Sequence, residues 1–263
     1  MSLPRYDPNR AAAYYDSFGE NEWNRFDEGR TPAAGLDIHL RFLERFVRSG
    51  DRVLDAGAGP GRFSLELVRL GASVVALDIS SGQLDLLRQR LPDVEAIVGD
   101  ITDLSCFAED SFDVTVCYGG PLSYVLDRAE EALGELVRVT RSGGYVLISV
   151  MSTIGAVVHY IGMLLDAARR DGPIAQEEIV RTGFLPEGGD YGHLAMHLYR
   201  WSELEELLSR HGQVVAAAAA GLIPDPRPPE PELRELIRSL EAELCEEPGA
   251  VSCGQHIIAA LRV

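Results

Sequence analysis

The residue types and spacings that could do chemistry are concentrated in one stretch. Asp55-Ala56-Gly57-Ala58-Gly59-Pro60-Gly61 sets a carboxylate before three glycines at every second position. Glycines so placed let the main chain turn tightly and approach a ligand with no side chain in between. The residues before them, Arg52 to Ala56, read as a short buried strand. Phe63, Leu67 and Leu70 after them recur at helical spacing, and Gly71 stops that helix. A glycine loop between strand and helix is where α/β folds bind nucleotide-like ligands. Its spacing narrows the ligand. A dinucleotide fingerprint needs its third glycine at position 62, which is Arg62, and a phosphate-binding loop needs a lysine, which this chain lacks altogether. An NAD-dependent oxidoreductase is therefore the weaker alternative.

Two more carboxylates close predicted strands. Ser73 to Asp78 reads as a second buried strand, and Asp78 follows Asp55 by 23 positions. Nucleotide-binding folds place there the carboxylate that accepts from ribose hydroxyls, a charge-assisted and therefore strong bond. Ser80 or Ser81 caps the next helix. Val94 to Asp100 reads as a third strand ending in Gly99-Asp100, with Ile101 beyond. Asp113 to Tyr118 is a fourth, running into Gly119-Gly120-Pro121-Leu122-Ser123-Tyr124. An acceptor whose proton must leave needs a base, and Tyr124, His159 and His193 are the candidates. His193 and His197 stand four apart, a spacing that suits one helix face. Without H-E-x-x-H, C-x-x-C or zinc spacing among Cys106, Cys117, Cys245 and Cys253, no metal is expected.

The Asp-x-Gly-x-Gly-x-Gly stretch resembles motif I of the class I, seven-strand S-adenosylmethionine (SAM) methyltransferases. The resemblance implies that Ala56 to Gly59 and Gly61 lie against the methionine part of SAM, with Asp55 near its ammonium. It implies ribose at Asp78 and Ile79, and adenine at Gly99, Asp100 and Ile101. Cys117, Tyr118 and Gly119, where the fourth strand ends, would reach toward the transferred methyl. Arg141-Ser142-Gly143-Gly144 followed by Tyr145 to Val150, a fifth strand, is similar to the group near the ubiquinone and menaquinone methyltransferases. The likeness is dense from about residue 50 to 151 and thinner elsewhere. The loop after strand four lacks the [DNS]-P-P-[YF] of amino-group DNA and protein methyltransferases and the Pro-Cys of cytosine C5 enzymes, so base methylation loses ground. The implied cofactor is SAM, leaving S-adenosylhomocysteine, and the implied activity is methyl transfer to a small molecule. A SAM-binding sensor or subunit without catalysis is the alternative.

The remaining elements must position these groups. Residues 6–31 carry Tyr6, Tyr14, Tyr15, Phe18, Trp23 and Phe26, too aromatic for a disordered tail. They read as a helical arm packed on the domain; in related methyltransferases such an arm folds over the cofactor or substrate, which would make Tyr15 and Trp23 cofactor contacts, and core packing without ligand contact is the equal alternative. Ile154 to Leu165 reads as one apolar helix, followed by a glycine-rich loop from Gly183 to Gly192. Trp201 to Leu208 reads as a helix, Gln213 to Gly221 as strand six, Asp225 to Pro231 as a proline-rich connector, Leu233 to Leu244 as a helix and His256 to Leu261 as the last strand. The expected fold is α/β, a doubly wound, mostly parallel seven-stranded sheet with a C-terminal antiparallel strand. One domain is expected: an arm over 1–48, a cofactor core over 49–151, a substrate-covering insertion over 152–200, and the end of the sheet over 201–263. A net charge of −17 disfavours nucleic acid as substrate. The polar N-terminus is no signal peptide and no apolar run approaches about 20 residues, so a cytoplasmic protein with free thiols and no membrane span is expected.

Overall fold

The computed structural model describes residues 4–27, 33–188, 193–224 and 230–263. Residues 28–31 of the arm, 189–192 of the glycine-rich loop and 225–229 of the connector, together with the Phe26 side chain, lie outside the described part. The chain starts with helices α1 (Pro8–Phe18), α2 (Asn21–Asp27) and α3 (Ala33–Phe46). Five strands with their connecting helices follow, β3 alone leading to the next strand without one: β1 (Arg52–Ala56), α4 (Arg62–Arg69), β2 (Ser73–Asp78), α5 (Ser81–Arg90), β3 (Glu95–Val98), β4 (Phe112–Cys117), α6 (Pro121–Tyr124), α7 (Ala129–Val139) and β5 (Thr140–Met151). The insertion holds α8 (Thr153–His159), α9 (Ile161–Asp171), α10 (Pro173–Thr182), β6 (Phe184–Leu185) and β7 (Met196–His197). The chain closes with α11 (Trp201–Ser209), β8 (Gln213–Ala220), α12 (Pro231–Leu244) and β9 (His256–Arg262).

The seven-stranded sheet has the order β3-β2-β1-β4-β5-β9-β8. β9 runs antiparallel to both β5 and β8, and every other pairing is parallel. Continuous apolar runs make this possible: β1, β2 and β4 bury both faces, as a parallel sheet wrapped by helices requires. One core cluster packs α7 and α11 on the sheet, through Leu133, Leu136, Leu204 and Leu208. A second packs α3 and α4 on the opposite face, through Ile38, Leu43, Phe63 and Leu67, and a small third joins α5 to β2 through Leu84, Leu87 and Ala76.

Two readings of the sequence are corrected. The fifth strand does not wait for Tyr145 after Ser142-Gly143-Gly144. β5 starts at Thr140, whose partner is Phe112, and an irregularity between Phe112 and Val114 absorbs the extra residues. Gly144 is required there, because a Cβ would stand 2.4 Å from the Asp113 carbonyl oxygen. Among its described residues the insertion holds three helices rather than one. α8 ends at Tyr160 and α9 restarts, while α10 left no burial stripe to read because neither α9 nor α10 buries a single residue. Its punctuation, Pro173 at the start and left-handed Gly183 at the end, was the available signal. His193 and His197 share no helix: His193 bridges to Gly188 and His197 pairs with Phe184 in extended backbone.

Candidate functional site

A cavity opens at the carboxyl ends of β1, β2, β3 and β4, where the strand order reverses about β1. Open α/β sheets bind ligands at this crevice. Gly57, Gly59 and Gly61 all hold positive φ, +88°, +53° and +91°. At Gly57 a Cβ would lie 2.4 Å from Pro121 Cγ, so the β1 loop and the β4 loop touch through a missing side chain. Gly57, Ala58, Gly59 and Pro60 line the cavity, while Ala56 and Gly61 do not: Ala56 is buried in the sheet and Gly61 faces Leu87.

Asp78 lines the cavity at the end of β2, 8% exposed, and Ile79 stands beside it. Its carboxylate accepts from the backbone N–H of Gly59 (2.8 Å) and of Ser80 (2.8 Å), so it ties the glycine loop to the turn that starts α5. Burial pushes it up to about 6, against the pull of those two N–H donors. Asp55 does not line the cavity. It is 1% exposed, accepts from Ser64 Oγ at 2.6 Å, and burial pushes it up to about 7. Gly99, Asp100 and Ile101 line the far end, where the Thr102 N–H binds Asp100 Oδ1 in a tight turn (2.9 Å). Tyr6 faces Asp100 there, its phenol raised by burial and by that carboxylate. Its own N–H donates to Asp127 (2.9 Å).

The fourth wall comes from the β4 loop and the arm. Tyr118 and Gly119 line it, and Ser149 Oγ fixes the loop by accepting from the Gly119 N–H (2.9 Å). Cys117 lies beneath, fully buried, its thiol pushed up to about 12 by that burial. Tyr15 and Tyr124 meet edge to face at 5.9 Å and both line the cavity. Trp23 does not line it. Its ring sits between the Arg62 and Arg90 guanidinium groups, at 4.6 and 4.4 Å. Neighbouring Glu22 lines the cavity instead, as do Ala11, Phe63, Pro121 and Val125, none of which the sequence singled out. Phe63 was legible as a helix-face residue beside the glycines; Glu22 and Ala11 had no local signal.

The histidine candidates stand apart. His159 ends α8 near Cys253 and Gly221, half-buried, with burial lowering its pKa. His193 bonds the Leu194 carbonyl. His197 pairs with Glu203 at 2.6 Å in a separate depression with Tyr199 and Leu126. Among the described residues no group of three or more His, Cys, Asp or Glu could hold a metal, and no helix is long and apolar enough to cross a membrane.

This topology, with a glycine loop after β1 and carboxylates after β2 and β3, is the Rossmann-like fold of the class I SAM-dependent methyltransferases. Residues 53–144 match the family model described as a methyltransferase domain. A solved SAM-dependent methyltransferase from Methanosarcina mazei has the same fold, with a TM-score of 0.59 at 20% identity over 84% of this chain and 97% of that one. So does a 1,6-didemethyltoxoflavin N1-methyltransferase from Burkholderia thailandensis with bound S-adenosylhomocysteine, with a TM-score of 0.59 at 20% identity over 100% and 92%. In sequence the chain is similar to demethylmenaquinone methyltransferases. That of Renibacterium salmoninarum is 43% identical over 104 residues, 39% of this chain and 42% of the relative. That of Corynebacterium glutamicum is 36% identical over 152 residues, 56% and 62%. The chain thus spans about two fifths of the length of the first relative.

Proposed function

We propose that this protein transfers a methyl group from SAM to a small-molecule acceptor. The observation that carries the reading is the cavity itself: positive-φ glycines at one end, Asp78 in the middle and Gly99-Asp100-Ile101 at the other, in the strand order β1, β2, β3. That sequence of surfaces matches an extended ligand with a charged tail, a ribose and a base. Asp78 would take the ribose hydroxyls, and the tail would lie on the backbone of Gly57 and Gly59, where no side chain stands. Bound SAM supplies a methyl group already activated on a sulfonium. The chain's own work is then to hold the acceptor in line with that bond and keep water out, and such orientation can lower a barrier by roughly 7–11 kcal/mol.

The acceptor side is aromatic and apolar. Tyr15 and Tyr124 form a corner beside Pro121, and Met151 and Tyr124 both border Gly120. No histidine lines the cavity among the described residues, so Tyr124 is the one candidate base that does. A planar, largely apolar acceptor fits, and demethylmenaquinone is the first to test. The acidic surface favours such a molecule over nucleic acid. The insertion, packed against the arm through Arg10 and Glu187 (2.6 Å), would form the acceptor rim. The test is calorimetric titration with SAM and with NAD, then turnover with isotopically labelled SAM and quinone acceptors. SAM binding with a methylated product is expected. Preferential NAD binding would overturn the class, and SAM binding with no product from any acceptor would favour the sensor alternative.

A further inference from the structure

We infer that Glu22, on the N-terminal arm, takes the α-ammonium of the cofactor's methionine tail, so that the arm completes the cofactor site; this rests on the methyl-transfer reading above. A tail lying on Gly57 and Gly59 brings an ammonium to the loop, and a buried ammonium needs a carboxylate. Asp55, the carboxylate next to the glycines in sequence, is turned away beneath the loop and bonded to Ser64. Asp78 stands at the end of β2, the ribose end of the cavity, tied to the Gly59 and Ser80 N–H groups. Glu22 lines the cavity directly over the loop: a Cβ placed on Gly59 would stand 3.7 Å from Glu22 Cγ.

The placement is held from several sides. Trp23, the next residue, is wedged between Arg62 and Arg90, and Glu20 pairs with Arg90. The Gln83 side chain donates to the carbonyls of Tyr15 (2.9 Å) and Gly19 (3.0 Å), fixing the turn that leads into α2. The structure thus brings a second carboxylate to the same cavity as buried Asp78, close enough for like-charge repulsion between them. A cation seated between them relieves that repulsion. The sulfonium and ammonium of SAM both answer this description.

The test uses the full-length protein and two ligands. S-adenosylhomocysteine carries the ammonium, whereas 5′-S-(3-carboxypropyl)-5′-thioadenosine keeps the carboxylate and lacks only the amino group. Calorimetry should show the wild type preferring S-adenosylhomocysteine by about tenfold or more, the range of a hydrogen bond to a charged group. Glu22→Gln should lose that preference by weakening S-adenosylhomocysteine alone, while the desamino ligand binds as before. Circular dichroism and Glu20→Gln serve as controls for arm packing. A preference that survives Glu22→Gln, or a wild type that binds both ligands equally, overturns the inference and leaves the methyl-transfer reading standing. A wild type that binds neither ligand overturns both.

Discussion

Asp78 combines two tasks that its position in the chain suggested only in part. Its carboxylate holds the Gly59 and Ser80 N–H groups and also faces the cavity. On the proposed reading Asp78→Ala removes the ribose acceptor, and it also frees the glycine loop. Hydrogen bonds to a charged group contribute about 1.5–3 kcal/mol, so SAM affinity should fall by roughly one to two orders of magnitude. The loss should fall mainly on cofactor KM rather than kcat, because the contact is remote from the methyl. Asp78→Asn keeps one acceptor oxygen and should do less damage. Titration of both variants with SAM checks this, and an alanine variant with wild-type affinity removes Asp78 from the site. At Gly57 the argument is steric: a Cβ 2.4 Å from Pro121 Cγ, at a φ of +88°, leaves an alanine nowhere to go.

At the scale of elements, the arm is the piece whose role the structure sharpens. α1 begins well, with Pro8 in its first turn and Asp7 accepting from the Asn9 and Arg10 N–H groups. Local capping starts it, but docking places it. Asp16 Oδ1 accepts from Ser80 Oγ (2.6 Å) and the Gly82 N–H (2.9 Å), so a carboxylate of α1 sits on the N-terminus of α5. This is a favourable place for negative charge. Gly82 makes room, since a Cβ there would stand 3.0 Å from that oxygen. Losing such a cap costs about 1 kcal/mol. Asp16→Ala should therefore loosen the arm, raise proteolytic cleavage before residue 33, and weaken SAM binding about fivefold while the core stays folded. Limited proteolysis read by mass spectrometry, with and without SAM, measures it. Unchanged cleavage and affinity would make the contact incidental.

For the whole molecule, the buried carboxylates tie stability and cofactor binding to pH. Asp55 and Asp78 are raised by burial to about 7 and about 6, from an ordinary value near 3.8. A carboxylate raised on folding stabilises the native state below its unfolded pKa, and that contribution is lost as pH rises through the folded value. The cofactor-free protein should therefore lose stability between pH 4 and 7 on their account. His159, lowered by burial, acts in the opposite direction as pH falls through the same range. The Asp78→Asn variant isolates the effect: its Tm should change less between pH 5 and 8 than that of the wild type. Asp78, the one of the two that faces the cavity, receives a cationic cofactor best when ionised, so SAM affinity should rise as pH passes through about 6. Differential scanning calorimetry with and without SAM follows both, and parallel profiles for wild type and variant would contradict the assignment.

Short-range rules determined much of this protein from sequence alone. Alternating glycines after Leu54 demanded a left-handed loop, and three positive φ values are found there. Apolar runs ending in Asp78 and before Asp100 gave strands whose ends meet at one crevice, because parallel strands joined by helices all point the same way. Tertiary structure decided which polar groups face the cavity. Asp55 turned to Ser64, nine residues on, because α4 packs directly over β1. Trp23 went between two arginines, and Glu22 took the place beside the glycines. Those contacts join the arm to residues dozens of positions downstream. An amphipathic pattern shows that a helix will be buried on one side, but not which partner it meets or which neighbouring side chain is left facing the ligand.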